Sequence, residues 1–245
     1  MIQLEVCADS LQSALVAQQA GATRIELCDN LTEGGTTPSP GTISLARQNL
    51  TIELYVLIRP RPGHFVYSDK EIEIMINDIH FCGKNKCDGV VFGILTPNGN
   101  VDKEKNTRLL SIAHQYNMKT TFHRAFDRCK DLPLSLEDVI DLGFDRILTS
   151  GGYPTAPQGA NMIKNLIVKA GQRIIIMPGS GITENNIQQL AVNTNMKECH
   201  GSFRSMYPLS PTYTNKTIND SPNEFSFWMT NENRVKKALE ALKEL

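Results

Sequence analysis

The side chains with most chemical capacity stand at or just past the ends of short apolar runs. Cys7 ends the run Gln3-Leu4-Glu5-Val6-Cys7, and Cys28 ends Arg24-Ile25-Glu26-Leu27-Cys28. Soft thiolates suit Cu(I) or zinc, which makes this pair a candidate metal site. A buried cysteine also packs as a small hydrophobe, and no close ligand spacing decides between the two readings. Arg59 and Arg61, in Arg59-Pro60-Arg61-Pro62-Gly63-His64, are forked donors suited to carboxylate or phosphate. In Thr121-Phe122-His123-Arg124-Ala125-Phe126-Asp127, His123 is a candidate general acid or base and Asp127 a carboxylate to orient it. Glu26 and Glu198 are further acid or base candidates. Gly179-Ser180-Gly181, just before a helix start, and His200-Gly201-Ser202 offer donors to an anion, and glycine turns are equally what any tight connection needs.

These residues need a scaffold that carries all of them to one face. Eight strand-like runs alternate with eight helical patterns: 3–7, 24–28, 53–59, 89–95, 119–123, 146–150, 173–177 and 198–202. Such alternation predicts parallel pairing through right-handed crossovers, and eight units in 245 residues predict an α/β fold, a (β/α)8 TIM barrel. Residues 1–245 then form one domain. Ser68 with Glu71 predicts a capping box on the third helix, Pro40 fits a first-turn position in the second, Thr183 can cap the seventh, and Gly21 and Gly171 follow the first and sixth. The stretch at about 205–230, rich in Pro, Ser, Thr and Asn with interspersed aromatics, predicts an irregular connection that covers the strand ends, contacts another subunit or packs passively.

Strand parity says what fills the barrel. Leu4 and Val6 alternate with Gln3, Glu5 and Cys7, and Ile25 and Leu27 with Arg24, Glu26 and Cys28. The helix-facing side must be apolar, so the polar set points inward. The same parity sends Tyr55, Leu57, Arg59, Thr121, His123, Glu198, His200 and Ser202 inside. Buried ionisable groups cost several kcal/mol each unless paired or ligand-bound. The set therefore marks either a structural ion-pair network or a site.

Composition narrows the partners. With 25 basic and 26 acidic residues the formal net charge is -1, and no basic run interleaves with aromatics, which argues against nucleic acid. The longest apolar runs are far below the roughly 20 residues that span a bilayer, and the chain enters its first strand at Ile2 without a secretory pattern. Six scattered cysteines fit free thiols in a reducing cytoplasm.

Taken together, Arg24-Ile25-Glu26-Leu27-Cys28, Gly34-Gly35-Thr36-Thr37-Pro38-Ser39, Ile58-Arg59-Pro60-Arg61, Gly89-Val90-Val91-Phe92-Gly93, the run 121–127, Thr149-Ser150-Gly151-Gly152 and Glu198-Cys199-His200-Gly201-Ser202 resemble the CutC family, in order, over about residues 2–204. The resemblance implies a cytoplasmic TIM barrel, a homodimer or larger homo-oligomer, with a role in copper homeostasis and copper as the ligand. It marks Cys28, Arg59, Arg61, His123, Asp127, Glu198, His200 and Ser202, with Glu26 beside them, as shared groups. His64 stands where the family pattern leads one to expect an acidic residue, and Ser180 interrupts an otherwise all-glycine turn. Two expectations result: copper handling, implied by the family, and an enzyme acting on a small phosphate- or carboxylate-bearing substrate, favoured by the arginines and glycine turns.

Overall fold

The structure, a computed structural model, describes residues 2–213, 215, 217 and 225–245. Eight parallel strands are arranged as a nearly closed barrel with eight helices outside: β1 (Gln3–Ala8), α1 (Leu11–Gln19), β2 (Arg24–Leu27), α2 (Pro40–Asn49), β3 (Glu53–Leu57), α3 (Asp69–Lys84), β4 (Gly89–Phe92), α4 (Lys103–Gln115), β5 (Lys119–Phe122), α5 (Leu132–Leu142), β6 (Arg146–Thr149), α6 (Ala160–Ala170), β7 (Ile175–Pro178), α7 (Ile187–Thr194), β8 (Glu198–Gly201) and α8 (Glu232–Lys243). Ladder order is β7-β6-β5-β4-β3-β2-β1-β8, and β7 packs beside β8 at the seam. The expected TIM barrel is the observed fold.

The helix signals act through identifiable hydrogen bonds. Ser68 and Glu71 form a reciprocal capping box at the start of α3, and Ser39 caps α2 with Pro40 in its first turn. Gly171 closes α6 with φ 59°. Thr183 lies one turn ahead of α7, where its carbonyl accepts from Ile187 and its own N–H is taken by Asn186 Oδ1. The seventh strand starts two residues later than expected, at Ile175, which pairs with the first residue of β6, while Arg173 still belongs to the turn after α6, its N–H donating to the Ala170 carbonyl.

Strand parity sorts the side chains as the alternation requires. Leu4, Val6, Ile25, Leu27, Leu54, Val56 and Ile58 are buried in the large apolar layer between barrel and helices. Each such side chain stabilises the fold by about 1.5–3 kcal/mol relative to exposure. A second, smaller apolar cluster of Cys7, Cys28, Tyr55, Leu57 and Val91 lies on the opposite parity, inside the barrel.

The expected irregular connection at 205–230 is corrected at both its ends. Arg204–Pro208 (β9) and Ser226–Thr230 (β10) pair antiparallel, with Tyr207 opposite Phe227 and Met206 opposite Trp228. Aromatic residues directly opposite one another suit cross-strand pairs, and the Tyr207 and Phe227 rings stack at 5.9 Å. Residues 214, 216 and 218–224 of that stretch lie outside the described residues.

Gly89 marks where backbone must come close to the barrel interior: a Cβ there would stand 2.6 Å from the Tyr55 ring. Gly89→Ala is expected to lower stability by about 1–3 kcal/mol, the usual cost of overpacking a filled core. An unchanged urea midpoint would show that the ring is free to move.

Candidate functional site

At the floor of the barrel, two carboxylates and two guanidinium groups neutralise one another. Arg24 Nε donates to Glu5 at 2.6 Å, its Nη2 donates to Glu198, and Arg146 Nε donates to Glu198 at 3.1 Å. All four are buried. Both guanidinium carbons also lie over the Tyr55 ring, 5.1 and 5.0 Å from its centroid. The ring's negative face thus adds to what the carboxylates provide. Burial favours a neutral Glu5, but Arg24 and a hydrogen bond from His200 outweigh it and hold the carboxyl at about 2. Parallel register produces the set, since Glu5 pairs with Arg24 on one side and with His200 on the other.

Directly above lies the metal-donor group. His200 Nδ1 is 2.7 Å from Glu5 Oε1, which leaves Nε2 facing Glu26 Oε2 at 3.7 Å. Cys7 Sγ is 3.6 Å from Cys28 Sγ. One donor atom from each of Cys7, Glu26 and His200 lies within 4.8 Å of the others. The ends of neighbouring strands would put Cys7 and Cys28 at corresponding depths, and the structure corrects this. Register pairs Cys7 with Glu26, and Cys28 sits one step further toward the mouth. Both are free thiols, as are the other four cysteines.

The electrostatics of this group follow from burial and neighbours. The Cys7 thiol is pushed well up by its contact with Cys28, by burial and by Glu26. Burial raises the Glu26 carboxyl. Burial pulls the His200 imidazole down, but Glu26 and Glu5 more than offset it and leave its pKa raised.

The mouth above these donors is a cavity of about 460 Å³. Cys7, Glu26, Cys28, Arg59, His123, Ser180, Gly181, His200 and Ser202 all line it, as do Phe65, Arg124, Arg204 and Trp228. Several expected site residues are placed otherwise. Glu198 is below the mouth, consumed by Arg24 and Arg146. Arg61 folds back onto its own loop, bonded to Glu71 and to the carbonyls of His64 and Val66. Asp127 does not orient His123. It accepts from the backbone N–H groups of Ser150 and Gly152 and from Arg124 Nε, tying the loop after β5 to the loop after β6. Gly179 is needed for packing, because a Cβ there would meet Leu148 at 2.5 Å, and a Cβ on Gly181 would meet Thr155 at 2.7 Å. Ser180 Oγ donates to the carbonyl of Pro154. Close packing of the two loops therefore accounts for this glycine turn without an anion.

Sequence reasoning missed Arg146 and Phe65. Arg146 was legible, since a polar residue at inward parity in an otherwise apolar strand is the signal that identified Arg24. Phe65 carries none, because it lies in a loop whose path only the folded chain defines.

The CutC family profile matches residues 2–205. The Homo sapiens protein named copper homeostasis protein cutC homolog is 43% identical over 237 residues, 95% of this chain and 86% of that one. A CutC family protein of Vibrio vulnificus is 44% identical over 211 residues, 86% of this chain and 84% of its own length. The crystal structure of a Streptococcus agalactiae CutC named for copper homeostasis superimposes with a TM-score of 0.78 at 40% identity, covering 82% of this chain and 99% of that one. Phosphoribosylanthranilate isomerase of Thermotoga maritima superimposes over 100% of both chains with a TM-score of 0.60 at 13% identity, which shows the fold alone.

Glu5 makes the buried floor sensitive to acid. Its pKa is about 2 in the folded chain against an ordinary 4.5, so between these values the unfolded chain holds the extra proton. The resulting stability, about 3 kcal/mol, is complete above pH 4.5 and is lost as pH falls toward 2. Glu5→Gln is expected to flatten that part of the urea midpoint against pH profile. It should also cost about 3–5 kcal/mol at neutral pH by leaving Arg24 half paired. A wild-type profile no steeper than the variant's would refute the assignment.

Proposed function

The chain belongs to the CutC family, and from that premise we propose that it handles copper by binding Cu(I) in the barrel mouth through Cys7, Cys28 and His200, with Glu26 beside them. The observation that carries this reading is the convergence of Cys7, Glu26 and His200 donor atoms within 4.8 Å, with the second thiol 3.6 Å from the first. Two thiols and an imidazole are a soft donor set suited to Cu(I), while the carboxylate is the hard member. Sulfurs each about 2.3 Å from one ion, the length zinc takes, stand no more than about 4.6 Å apart, so both sulfurs reach one ion without strand movement.

The surroundings support it. Glu5 fixes the His200 ring through Nδ1 and leaves Nε2 for the ion, the arrangement by which a second carboxylate orients a ligating histidine. Cys7 and the protonated His200 imidazole must lose protons on metal binding, so affinity rises with pH. Copper so bound would be cargo held in a narrow mouth, with Trp228 and Arg204 of the hairpin at its rim.

The whole chain acts in this reading as one domain in the cytoplasm, where free thiols persist. No helix among the described residues is long and apolar enough to cross a membrane. Exposed Met206, Phe227 and Trp228 on the hairpin support assembly into a homo-oligomer. The second expectation, a reaction on a small anionic substrate with His123, Glu26, Glu198 and Asp127 as its acid and base groups, is less well supported. Its His123–Asp127 pair is not assembled, Glu198 is locked in the floor, and Arg61 faces away.

Wild-type protein is expected to take one Cu(I) per chain from a competing chelator under anaerobic conditions. Cys7→Ser with Cys28→Ser should abolish that stoichiometric binding, His200→Gln should weaken it at least tenfold, and Arg61→Met should leave it unchanged. Full Cu(I) retention by the double cysteine variant, measured by competition titration, would end this reading.

A further inference from the structure

In the mouth, two buried N–H donors have no acceptor among the described residues: Nε2 of His123 and Nε of Arg59. Arg59 is 5% exposed and His123 4%, and both line the 460 Å³ cavity. His123 Nδ1 accepts from the Ala125 N–H at 3.3 Å, which puts the ring proton on Nε2. Burial, reinforced by the Arg59 charge, keeps this imidazole neutral, with its pKa pulled down to about 3. It is therefore a fixed donor across the physiological range.

Arg59 is fixed as firmly. Its terminal nitrogens donate to the carbonyls of Glu33, Gly35 and Gly63, which uses three of its five N–H groups and anchors the guanidinium. Those partners are neutral, so none of them cancels the positive charge. Phe65 packs against both residues, 5.2 Å from the Arg59 guanidinium carbon and 4.8 Å from the His123 ring centroid, so the two donors share one wall. Buried donors are nearly always satisfied; the Tyr67 hydroxyl is a neighbour of the Arg59 guanidinium, so it is His123 Nε2 that calls for an acceptor from outside the chain. Next to this wall a second cavity of about 630 Å³ shares Arg59, Phe65 and Arg124 with the first and adds Arg128. Three guanidinium groups stand there with Glu33, and although Arg124 is paired with Asp127 the remaining positive charge favours an anion.

We propose that the Arg59–His123 wall is a subsite for a small-molecule oxyanion, a carboxylate or phosphate group, lying in the same cavity as the thiol and imidazole donors but distinct from them. The contact requires no reaction. It would seat a ligand's anionic group in the mouth while Cys7, Cys28 and His200 remain free for the metal. The position is also unlike the usual barrel phosphate site in the loops after strands 7 and 8, since these donors follow β3 and β5.

The test uses the full-length chain without metal, so that its outcome does not depend on the copper reading. Malonate and inorganic phosphate are titrated separately by calorimetry, with the His123 ring nitrogens followed by NMR. His123→Asn keeps an oxygen to accept from Ala125 but has no donor in the place of Nε2, and His123→Gln restores an amide N–H there. Saturable binding of either anion is expected, with a shift of the His123 Nε2 resonance. Affinity should fall about ten- to a hundredfold in His123→Asn and recover in His123→Gln. Binding of malonate alone identifies a carboxylate subsite, and of phosphate alone a phosphate subsite. Absence of saturable binding of both by the wild type would overturn the proposal, as would binding that leaves the His123 resonances unmoved or is unaltered in His123→Asn. Should His123→Asn melt far below the wild type, the wild-type resonances decide the outcome by themselves.

Discussion

Arg24 occupies the enclosed floor of the barrel with Glu5 at its Nε and Glu198 at its Nη2. A guanidinium removed from water is tolerable only if several acceptors are held around it, and here carboxylates from two other strands supply them. Glu5 comes from β1, Arg24 from β2, and Glu198 with His200 from β8. The floor therefore ties together the strands on which the metal donors stand. Once Glu5 is anchored by Arg24, its other oxygen sets the His200 ring, and the ring sets which nitrogen faces Glu26 and Cys7. A positioning chain of this kind runs from a buried ion pair to a donor atom through fixed hydrogen bonds.

The interior divides accordingly. Most barrels fill the space between their strands with branched aliphatic residues. Here a charged floor takes the lower part, and a small apolar cluster of Cys7, Cys28, Tyr55, Leu57 and Val91 lies against it. Placing the two thiols among apolar neighbours and next to a carboxylate keeps Cys7 protonated until something replaces the proton. The same mouth also holds the buried N–H groups of His123 and Arg59, so thiols, carboxylate and N–H donors line one cavity.

Loop packing explains what the arginine and glycine motifs do. Arg59 stitches the loops after β2 and β3 through three carbonyls, and Arg61 closes the loop after β3 onto α3 through Glu71. The turn at Gly179 and Gly181 is small because Leu148 and Thr155 stand against it. These residues shape the rim, and motifs that read as anion cradles are largely devices for bringing connections close together.

Alternation of apolar and polar residues was enough to read the eight strands, their inward parity and the concentration of ionisable groups inside, because a parallel barrel imposes a period of two with an apolar outer face. Leu4 and Val6 against Glu5 and Cys7 is that rule written in four residues. The run of motifs likewise identified the family from the residues alone. Only the tertiary structure decided which polar groups meet. The stagger between β1 and β2 sets Cys7 opposite Glu26 and Cys28 beyond it, and no feature of either strand by itself encodes that offset. Asp127 was drawn to backbone N–H groups of the next loop and Arg61 to a carboxylate of the following helix, since a side chain takes the partner that folding brings within reach. Local sequence determines which face a residue occupies, whereas ladder register and loop path determine its neighbours, and the chemistry of this mouth is a matter of neighbours.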